Sequence, residues 1–437
     1  MGKNIKLFKV TGDKMNKKLK VGIFGIRRGD SFANIFNSIP NTEVVAVCDN
    51  SEIRVKNFLI SGKKNIPTYN DYEKFLQHDM DIVVLCNYCT EHAPAAIKAL
   101  RSGKHVLSEV IACKTLSEGV SLCREVEKAE KKGIFYMFAE NYCYFSYIQE
   151  MERIYKAGKI GQLRYGEGEY IHDCSSSWHV LTTSPSHWRN WLPSTYYCTH
   201  SLGPIIKITD LRPVQVSGFV VPNLISREYG REGDDWGILI IKMENDAILR
   251  IIPWSIGPHD SIWYRIYGTD GMMENNRWKD TNVLNVHFQK LWEKPKIKSY
   301  LPEFKKYQKQ AKRSGHGGGD FFLLFDFVNS IRKKERPPID IYKAMDMTLP
   351  GILGYRSALS GNIPIEIPDF RKEKERKKYE NDNWSPDPND KKLMKNQPAP
   401  SILGEIEIKK EIYEMLEKKR EKAMSEIKKQ LEKAYKI

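Results

Sequence analysis

The stretch LKVGIFGIRRGDSF, from Leu19 to Phe32, decides the fold. It begins as an unbroken apolar strand and turns at Gly25 into a helix. Four more apolar runs, TEVVAVCD, DIVVLCN, KHVLSEV and IFYMFAE, follow with helix-length stretches between them. Continuous Val- and Ile-rich strands that alternate with helices indicate a parallel sheet buried on both faces.

The turn after the first strand has the features of a dinucleotide-binding site. Gly25 permits a tight turn, and the N-terminus of the next helix offers unpaired N–H groups to a pyrophosphate. Asp49 follows Gly25 by twenty-four residues, at the end of the second strand, where a carboxylate holds ribose hydroxyls and repels a 2′-phosphate. We therefore expect NAD rather than NADP. Arg27 replaces the second glycine of the usual pattern, so a turn that serves packing alone is the alternative.

The pattern of apolar and polar residues changes beyond residue 141. Long alternating segments such as QLRYGEGEYIH and WGILIIKMENDAILRIIPW predict a mostly antiparallel sheet with one packed and one open face. The fold class is thus an α/β Rossmann-type N-terminal domain plus an α+β C-terminal domain. The predicted organisation comprises five parts: a basic extension (1–17), the NAD-binding domain (18–140), the substrate-binding domain (141–370), an exposed linker (371–400) and an amphipathic helical tail (401–437).

The net charge of +15 raises the question of nucleic-acid binding. Residues 1–20 carry +6 and residues 371–437 carry +5, which leaves only +4 on the body of the chain. Basic tails without a basic-aromatic motif are typical of solvated surfaces, so we expect no nucleic-acid partner. The basic first twenty residues contain no apolar segment and no small-residue cleavage site of the kind that signal peptides have, so we expect no secretion. No apolar run in the sequence reaches membrane-spanning length. Eight cysteines in mostly apolar surroundings favour reduced thiols and a cytoplasmic protein.

Several separated segments resemble one family. CTEHAPAAIKALRSGKHVLSE resembles the Gfo/Idh/MocA oxidoreductases. AENYCY, GKIGQLRYGEGEYIHD, HWRNW, YYCTHSLGP and GHGGGDFFLLFDFVNSI are similar to the NAD-dependent glycosidases of glycoside hydrolase family 109, described as α-N-acetylgalactosaminidases. The likeness covers about residues 18–368.

The resemblance implies a set of cofactor contacts. Ordinary members of the superfamily place a catalytic lysine beside the nicotinamide, and here Val110 takes its position, as in the glycosidase branch. Proton transfer is therefore expected in the second domain. The positions that match cofactor-binding residues are Gly25, Arg28, Gly29, Asp49, His92, Glu109, Val110 and Asn141.

The resemblance also implies the chemistry. Hydride leaves C3 of a sugar, the C2 proton becomes acidic, the aglycone is eliminated, water adds and hydride returns. His200 is the expected base for the sugar hydroxyl, and Tyr170 the expected base for the C2 proton, with its pKa lowered by Arg189 or oxidised nicotinamide. Tyr197 and Glu140 would orient the sugar. The expected substrate contacts are Tyr170, Arg189, Tyr197, Thr199 and His200. Cys198 stands where the branch usually has proline, which bears on the choice of sugar.

Several alternatives stay open at this point. The chain can be an NAD-dependent sugar or polyol dehydrogenase, or an NAD-binding regulator without catalysis. Tyr170 can be an ordinary strand tyrosine, and Asp320 can simply cap the helix after GHGGG. Six residues form a candidate metal cluster without a standard ligand spacing, so no metal is predicted: His172, Asp173, His179, His187, His200 and His316. The open sheet face and the tail favour a homodimer or homotetramer with a small glycoside as substrate.

Overall fold

The computed structural model describes residues 17–60, 65–304 and 306–435. The predicted basic extension lies outside the described residues except for Lys17. No helix among the described residues is both long enough and apolar enough to cross a membrane.

The N-terminal domain is built on a parallel six-stranded sheet. Its order, β3-β2-β1-β4-β5-β6, and its parallel pairing confirm the predicted Rossmann-type fold. The elements in chain order are β1 (Leu19–Phe24), α1 (Ile26–Phe36), β2 (Thr42–Cys48), α2 (Glu52–Ile60), β3 (Thr68–Tyr69), α3 (Tyr72–Leu76), β4 (Ile82–Leu85), α4 (His92–Arg101), β5 (His105–Ser108), α5 (Leu116–Glu130) and β6 (Tyr136–Phe138). The order changes direction between β1 and β4, which opens a crevice at the carboxyl ends of these two strands.

The C-terminal domain is built on a nine-stranded sheet. Its order is β14-β13-β12-β11-β7-β10-β9-β8-β15, and only the β7–β10 pair is parallel, which confirms the predicted mostly antiparallel sheet. The elements are α6 (Ser146–Lys156), β7 (Leu163–Ile171), α7 (Trp178–Leu181), α8 (Trp188–Trp191), α9 (Thr199–Thr209), β8 (Pro213–Val221), β9 (Trp236–Met243), β10 (Ile248–Ser255), β11 (Ser261–Gly268), β12 (Gly271–Asn275), β13 (Leu284–Phe288), β14 (Lys296–Tyr300), α10 (Gln308–Ala311), α11 (Gly319–Lys333), α12 (Ile341–Leu359) and β15 (Ile365–Glu366).

Strand β7 shows why the sequence reads GEGEY. A side chain on Gly168 would bring its Cβ to 2.0 Å from the carbonyl oxygen of Ser201, so the strand packs directly beneath α9. On the opposite face, Glu167 binds Arg250 and Arg265. The alternation therefore places glycines on the face of β7 that contacts α9 and charged side chains on the other face. The close contact brings the end of β7 next to the start of α9.

The segment after the second domain departs from its prediction. Residues 371–400 contain α13 (Glu373–Arg376) and α14 (Pro388–Leu393) and pack on the body rather than forming an exposed linker. Lys114 holds Asp387 at 3.0 Å, and Arg356 holds Asp382 through two hydrogen bonds. Opposite charges on the body thus fix a sequence whose polarity suggested solvent exposure.

The helical tail is present as α15 (Lys410–Tyr435). Leu416 is buried against Gly230, and the Arg420 guanidinium donates to the carbonyl oxygens of His179 and Thr182 at 3.0 and 2.8 Å. The tail therefore docks on the segment that contains α7.

Candidate active site

A cavity of about 580 Å³ lies at the carboxyl ends of the parallel strands and reaches the second domain. It brings together most of the residues singled out from the sequence: Gly25, Arg28, Asp49, His92, Glu109, Val110, Asn141, Tyr170, Arg189, Tyr197 and His200. Gly29, Glu140 and Thr199 lie outside its wall.

The turn between β1 and α1 can only be formed by glycine at its centre. Gly25 has a φ of 93°, and a Cβ there would lie 2.3 Å from the carbonyl oxygen of Cys86. Gly29 is one turn further along and sits against Ile23, where a Cβ would approach to 2.3 Å. Gly25 thus shapes the cavity wall, while Gly29 lets α1 lie close to β1.

The Asp49 carboxylate holds this turn. It accepts hydrogen bonds from the backbone N–H groups of Ile26 and Ser51, both at 2.8 Å, and it also lines the cavity. Arg54 lies 3.8 Å from the same carboxylate. A carboxylate can accept more than two hydrogen bonds, so Asp49 still has room to accept from a ligand. Its expected contact with ribose hydroxyls stays a prediction.

The cavity contains buried polar groups that have no partner within the described residues. Both side-chain amide atoms of Asn87 and Nε2 of His92 are of this kind. The other ring nitrogen of His92 is bonded to the carbonyl oxygen of Ile111 at 2.9 Å, and burial lowers the pKa of this histidine, so the imidazole is neutral. Such groups need a ligand, because an unbonded buried polar atom is costly. The site therefore fits a dinucleotide.

Asn87 is a site residue that the sequence analysis missed. It follows β4, and the Asn87 amide lines the same crevice as Gly25 and Asp49. The signal was its position after a buried parallel strand, where ligand-binding groups concentrate.

Arg28 connects the two domains. Its guanidinium donates to Glu109 at 2.8 Å and to both carboxylate oxygens of Asp320, at 2.8 and 2.9 Å. Burial opposes the charge of Arg28, but the two carboxylates raise its pKa. These donors are engaged within the protein, and the expected role of Arg28 in cofactor binding stays a prediction.

The Asp320 carboxylate is shared by several side chains and does not cap a helix. Gly318 is the N-cap of α11, and Asp320 lies in the first turn with its side chain fully buried. His316 and Asn141 share its carboxylate with Arg28, at 3.0 and 3.1 Å. Burial alone would raise the pKa of Asp320, but the hydrogen bonds from His316 and Arg28 lower it. The suggested role of Asp320 as an N-cap is therefore wrong.

His200 is oriented by a fully buried carboxylate. Its Nδ1 lies 2.7 Å from Oε1 of Glu140, and Glu140 is held in turn by the backbone N–H of Tyr142 at 3.2 Å. Gly203 makes room for this carboxylate, because a Cβ there would lie 2.8 Å from Cγ of Glu140. Oε2 of Glu140 has no partner among the described residues, and the expected orientation of the sugar by Glu140 stays a prediction.

The first turn of α9 is fixed by a second contact at His200. Pro204 lies four residues later and has no N–H to offer the carbonyl oxygen of His200. The Tyr264 hydroxyl, from β11, donates to that oxygen instead. The backbone of His200 is thus anchored to the sheet at the place where the helix cannot hold it.

Aromatic rings enclose the His200 imidazole. Tyr142 stacks on it at 4.3 Å between centroids, and Tyr170 and Tyr197 meet it edge-on at 4.8 and 5.1 Å. Burial raises the pKa of Tyr170 well above its usual value, and neighbouring tyrosines add to the effect. Tyr170 is therefore protonated in the described protein. Tyr142 is a second cavity residue that the sequence analysis missed.

Arg189, Tyr170 and Tyr197 line the same wall of the cavity. Burial raises the pKa of Tyr197, and Arg189 opposes that rise. The guanidinium lies 4.2 Å above the Trp188 ring and makes no salt bridge among the described residues. The pKa of Tyr170 is raised in the described protein, so its expected lowering by Arg189 or by oxidised nicotinamide stays a prediction.

Two residues of the TyrCysThrHis segment point away from the cavity. Thr199 and Cys198 are completely buried, and the Cys198 thiol lies 3.4 Å from the carbonyl oxygen of Met347 in α12. Cys198 therefore packs the start of α9 against α12 and makes no part of the cavity wall.

The histidines suggested as a metal cluster are dispersed. His187 caps α8, while His172 pairs with Asp260 and His316 with Asp320. Within the described part of the chain, no three His, Cys, Asp or Glu side chains are grouped as a metal site requires.

Two family models match the chain, one in each domain. Residues 19–137 match the oxidoreductase family with an NAD-binding Rossmann fold, and residues 235–377 match the C-terminal domain of glycosyl hydrolase 109. The chain is 27% identical over 403 residues to a glycosyl hydrolase family 109 protein of Saccharopolyspora erythraea, which covers 81% of this chain and 84% of that one. A glycosyl hydrolase family 109 protein of Solibacter usitatus is also 27% identical, over 83% of this chain and 90% of its own.

Solved structures share the fold at lower identity. An oxidoreductase domain protein from Kribbella flavida superposes with a TM-score of 0.69 at 20% identity, covering 80% of this chain and all of that one (100%). A levoglucosan dehydrogenase solved with NADH and L-sorbose gives a TM-score of 0.68 at 17% identity, covering 81% of this chain and 100% of its own. The N-terminal part of the chain is therefore similar to NAD-binding oxidoreductases, and its C-terminal part is similar to glycosyl hydrolase family 109.

Proposed function

We propose that this protein is an NAD-dependent glycosidase that acts on small hexosides. In this reaction C3 of the sugar is oxidised, the aglycone is eliminated, water adds and C3 is reduced again. The observation that carries the proposal is the buried Glu140–His200 pair beside Tyr170. Around these residues the cavity wall holds Tyr142, Tyr197 and His316. An NAD-dependent glycosidase does not need the pair of carboxylates that ordinary glycosidases use.

His200 is the proposed base for the C3 hydroxyl. With Nδ1 committed to Glu140, the neutral imidazole keeps a lone pair on Nε2 for the substrate. The developing positive charge on the ring is stabilised by the carboxylate at 2.7 Å. Glu140 is accordingly a positioning residue.

Tyr170 is the proposed base for the C2 proton. When bound, NAD would supply a hydride acceptor for C3, and the positive charge of its oxidised form would favour the Tyr170 phenolate before C3 is oxidised. Once C3 is oxidised that charge is gone, which makes the phenolate a stronger base for the C2 proton. The raised pKa of Tyr170 keeps the phenol protonated until the charge is present. Tyr197 and Arg189, which line the same wall, are proposed to orient the sugar.

The test is a screen of the purified protein with NAD against aryl α- and β-hexosides, in which aglycone release and NADH absorbance are followed together. Aglycone release without NADH accumulation supports the proposal. NADH accumulation without aglycone would make the protein a sugar dehydrogenase, with His200 or Tyr170 as its base. No signal with any sugar, despite NAD binding, would favour the regulator.

A further inference from the structure

A second cavity, of about 270 Å³, adjoins the first. Four residues line both cavities: Tyr170, Trp188, Arg189 and Tyr197. A sugar placed between His200 and Tyr170 thus has the second cavity directly beside it. None of the roles assigned above uses this space.

The walls of the second cavity are rigid. Trp254 donates from its indole nitrogen to the carbonyl oxygen of His172 at 3.2 Å, stacks with Trp178 at 5.9 Å and lies under the Arg231 guanidinium at 4.4 Å. On the other side, Arg420 of the tail holds the segment around α7 by its backbone. A preformed cavity of this kind binds a ligand without the cost of ordering its walls.

Charged groups of both signs lie around this cavity. Hydrogen bonding to Cys174, aided by Asp260 and opposed by burial, raises the pKa of His172 to about 9. His172 lies 3.3 Å from Asp260, and the Arg189 guanidinium and the Asp173 carboxylate both line the wall. A neutral ligand is therefore favoured over an anion or a cation.

The volume of the second cavity and the chemistry of its walls restrict the kind of ligand further. The volume lies just below the range of drug-sized sites, which favours one ring over an oligosaccharide. Aromatic side chains provide apolar contact, and His172, Asp173 and Ser177 provide hydrogen-bonding groups. Rings that carry hydroxyl groups present this combination.

We infer that the second cavity binds the leaving group of the glycoside, and that this leaving group is a single uncharged sugar ring. The inference rests on the proposed function and extends it, because it makes small disaccharides the substrates. Tyr170 and Tyr197 would then lie beside the bond that breaks.

Blocking the cavity at its rim tests the inference. Ser177 is exposed and lines the second cavity, while its neighbour Ser176 is exposed and lines neither cavity. We compare Ser177→Trp with Ser176→Trp, using a disaccharide and the methyl glycoside of the same reacting sugar, N-acetylgalactosamine unless the screen identifies another. The expected result is that only Ser177→Trp raises KM for the disaccharide, by about tenfold or more, with the methyl glycoside unaffected. Equal effects on both substrates, or no effect on either, would overturn the inference.

Failure of the proposed function is distinguishable from failure of this inference. If the wild type cleaves neither compound, the proposed function fails, and calorimetric titration of the NAD-loaded protein with the disaccharide decides the binding question alone. Binding that Ser177→Trp removes and Ser176→Trp keeps would still support the cavity as a sugar site. Absent binding, or binding that both variants keep, would reject it.

Discussion

The cofactor end and the sugar end of the cavity are lined by different kinds of groups. At the cofactor end, the wall is made by backbone geometry at Gly25 and by polar groups of Asn87 and His92 that have no protein partner. At the sugar end, Oε1 of Glu140 orients His200 within a cage of aromatic rings, while Oε2 of Glu140 has no partner among the described residues. The first end is shaped to be completed by a ligand, whereas the second is organised before any ligand arrives. Substitutions at the two ends should therefore separate binding of NAD from turnover.

The largest separation is expected at His200. Replacing it with alanine removes the base for the sugar hydroxyl, and general-base catalysis contributes about 10²–10⁴-fold, so kcat should fall by that factor. NAD affinity should be unchanged, since His200 belongs to the sugar end. Steady-state kinetics and a fluorescence titration with NAD measure the two quantities. A parallel loss of NAD affinity would show that the ends are not separable.

A substitution in the Arg28–Asp320 pair should affect NAD binding and turnover together, because the pair joins the two ends of the cavity. Asp320→Asn removes the carboxylate charge that pairs with Arg28. Breaking a buried pair in this way costs about 3 kcal/mol of unfolding free energy. Denaturant unfolding measures this loss, and both NAD affinity and kcat should fall with it. Glu335→Gln, an exposed change at the end of the same helix, is the matched control and should do neither.

The same pair predicts a pH dependence of stability. The pKa of Asp320 is lowered in the folded protein, so its stabilisation is complete above the unfolded value of about 3.9 and is lost as the pH falls toward the folded value. Unfolding free energies of the wild type and Asp320→Asn should therefore differ at neutral pH and converge in acid. A gap that stays constant as the pH falls below the unfolded pKa would contradict this assignment.

A smaller effect confined to the cofactor end is expected from Asn87→Ala. The variant removes hydrogen-bonding groups that only a ligand can satisfy, so the Kd for NAD should rise by about tenfold, which corresponds to one or two lost hydrogen bonds. Because no protein partner is lost, thermal stability should be unchanged. A drop in stability with unaltered Kd would mean that Asn87 serves the fold and not the cofactor.

The smallest effect is expected from Tyr264→Phe at the sugar end. It removes the hydroxyl that holds the backbone of His200, at a cost of about 1 kcal/mol in unfolding free energy. Loosening His200 should also lower kcat by a few-fold, about what 1 kcal/mol represents, while the Kd for NAD stays the same. The reference is Tyr267→Phe, at an exposed tyrosine of the same strand, which should change neither kcat nor stability.

The sequence predicted the cofactor end better than the sugar end, for a physical reason. Gly25 and Asp49 are visible because a strand, a tight turn and a carboxylate recur at a fixed interval along the chain. The same logic applied to β4 would have found Asn87. Strand periodicity likewise revealed both sheets.

The sugar end depends on contacts between distant segments. Arg28 and Asp320 are 292 positions apart, and Glu140 and His200 are 60 apart. No local pattern shows which carboxylate faces the cavity and which stands behind a histidine. Family resemblance supplied the residues there, but not the role of Glu140, the anchoring by Tyr264 or the burial of Thr199. The docking of residues 371–400 was missed for the same reason, since their charges find partners only in the folded chain.

The most direct test of the central claim follows the C2 hydrogen. The NAD-loaded wild type is supplied with a cleaved glycoside in heavy water, and the released sugar is examined by NMR or mass spectrometry. The account predicts deuterium at C2 of the released sugar without accumulation of NADH, and loss of both cleavage and exchange in Tyr170→Phe. Release of a sugar that retains its C2 hydrogen would show direct hydrolysis and contradict the account.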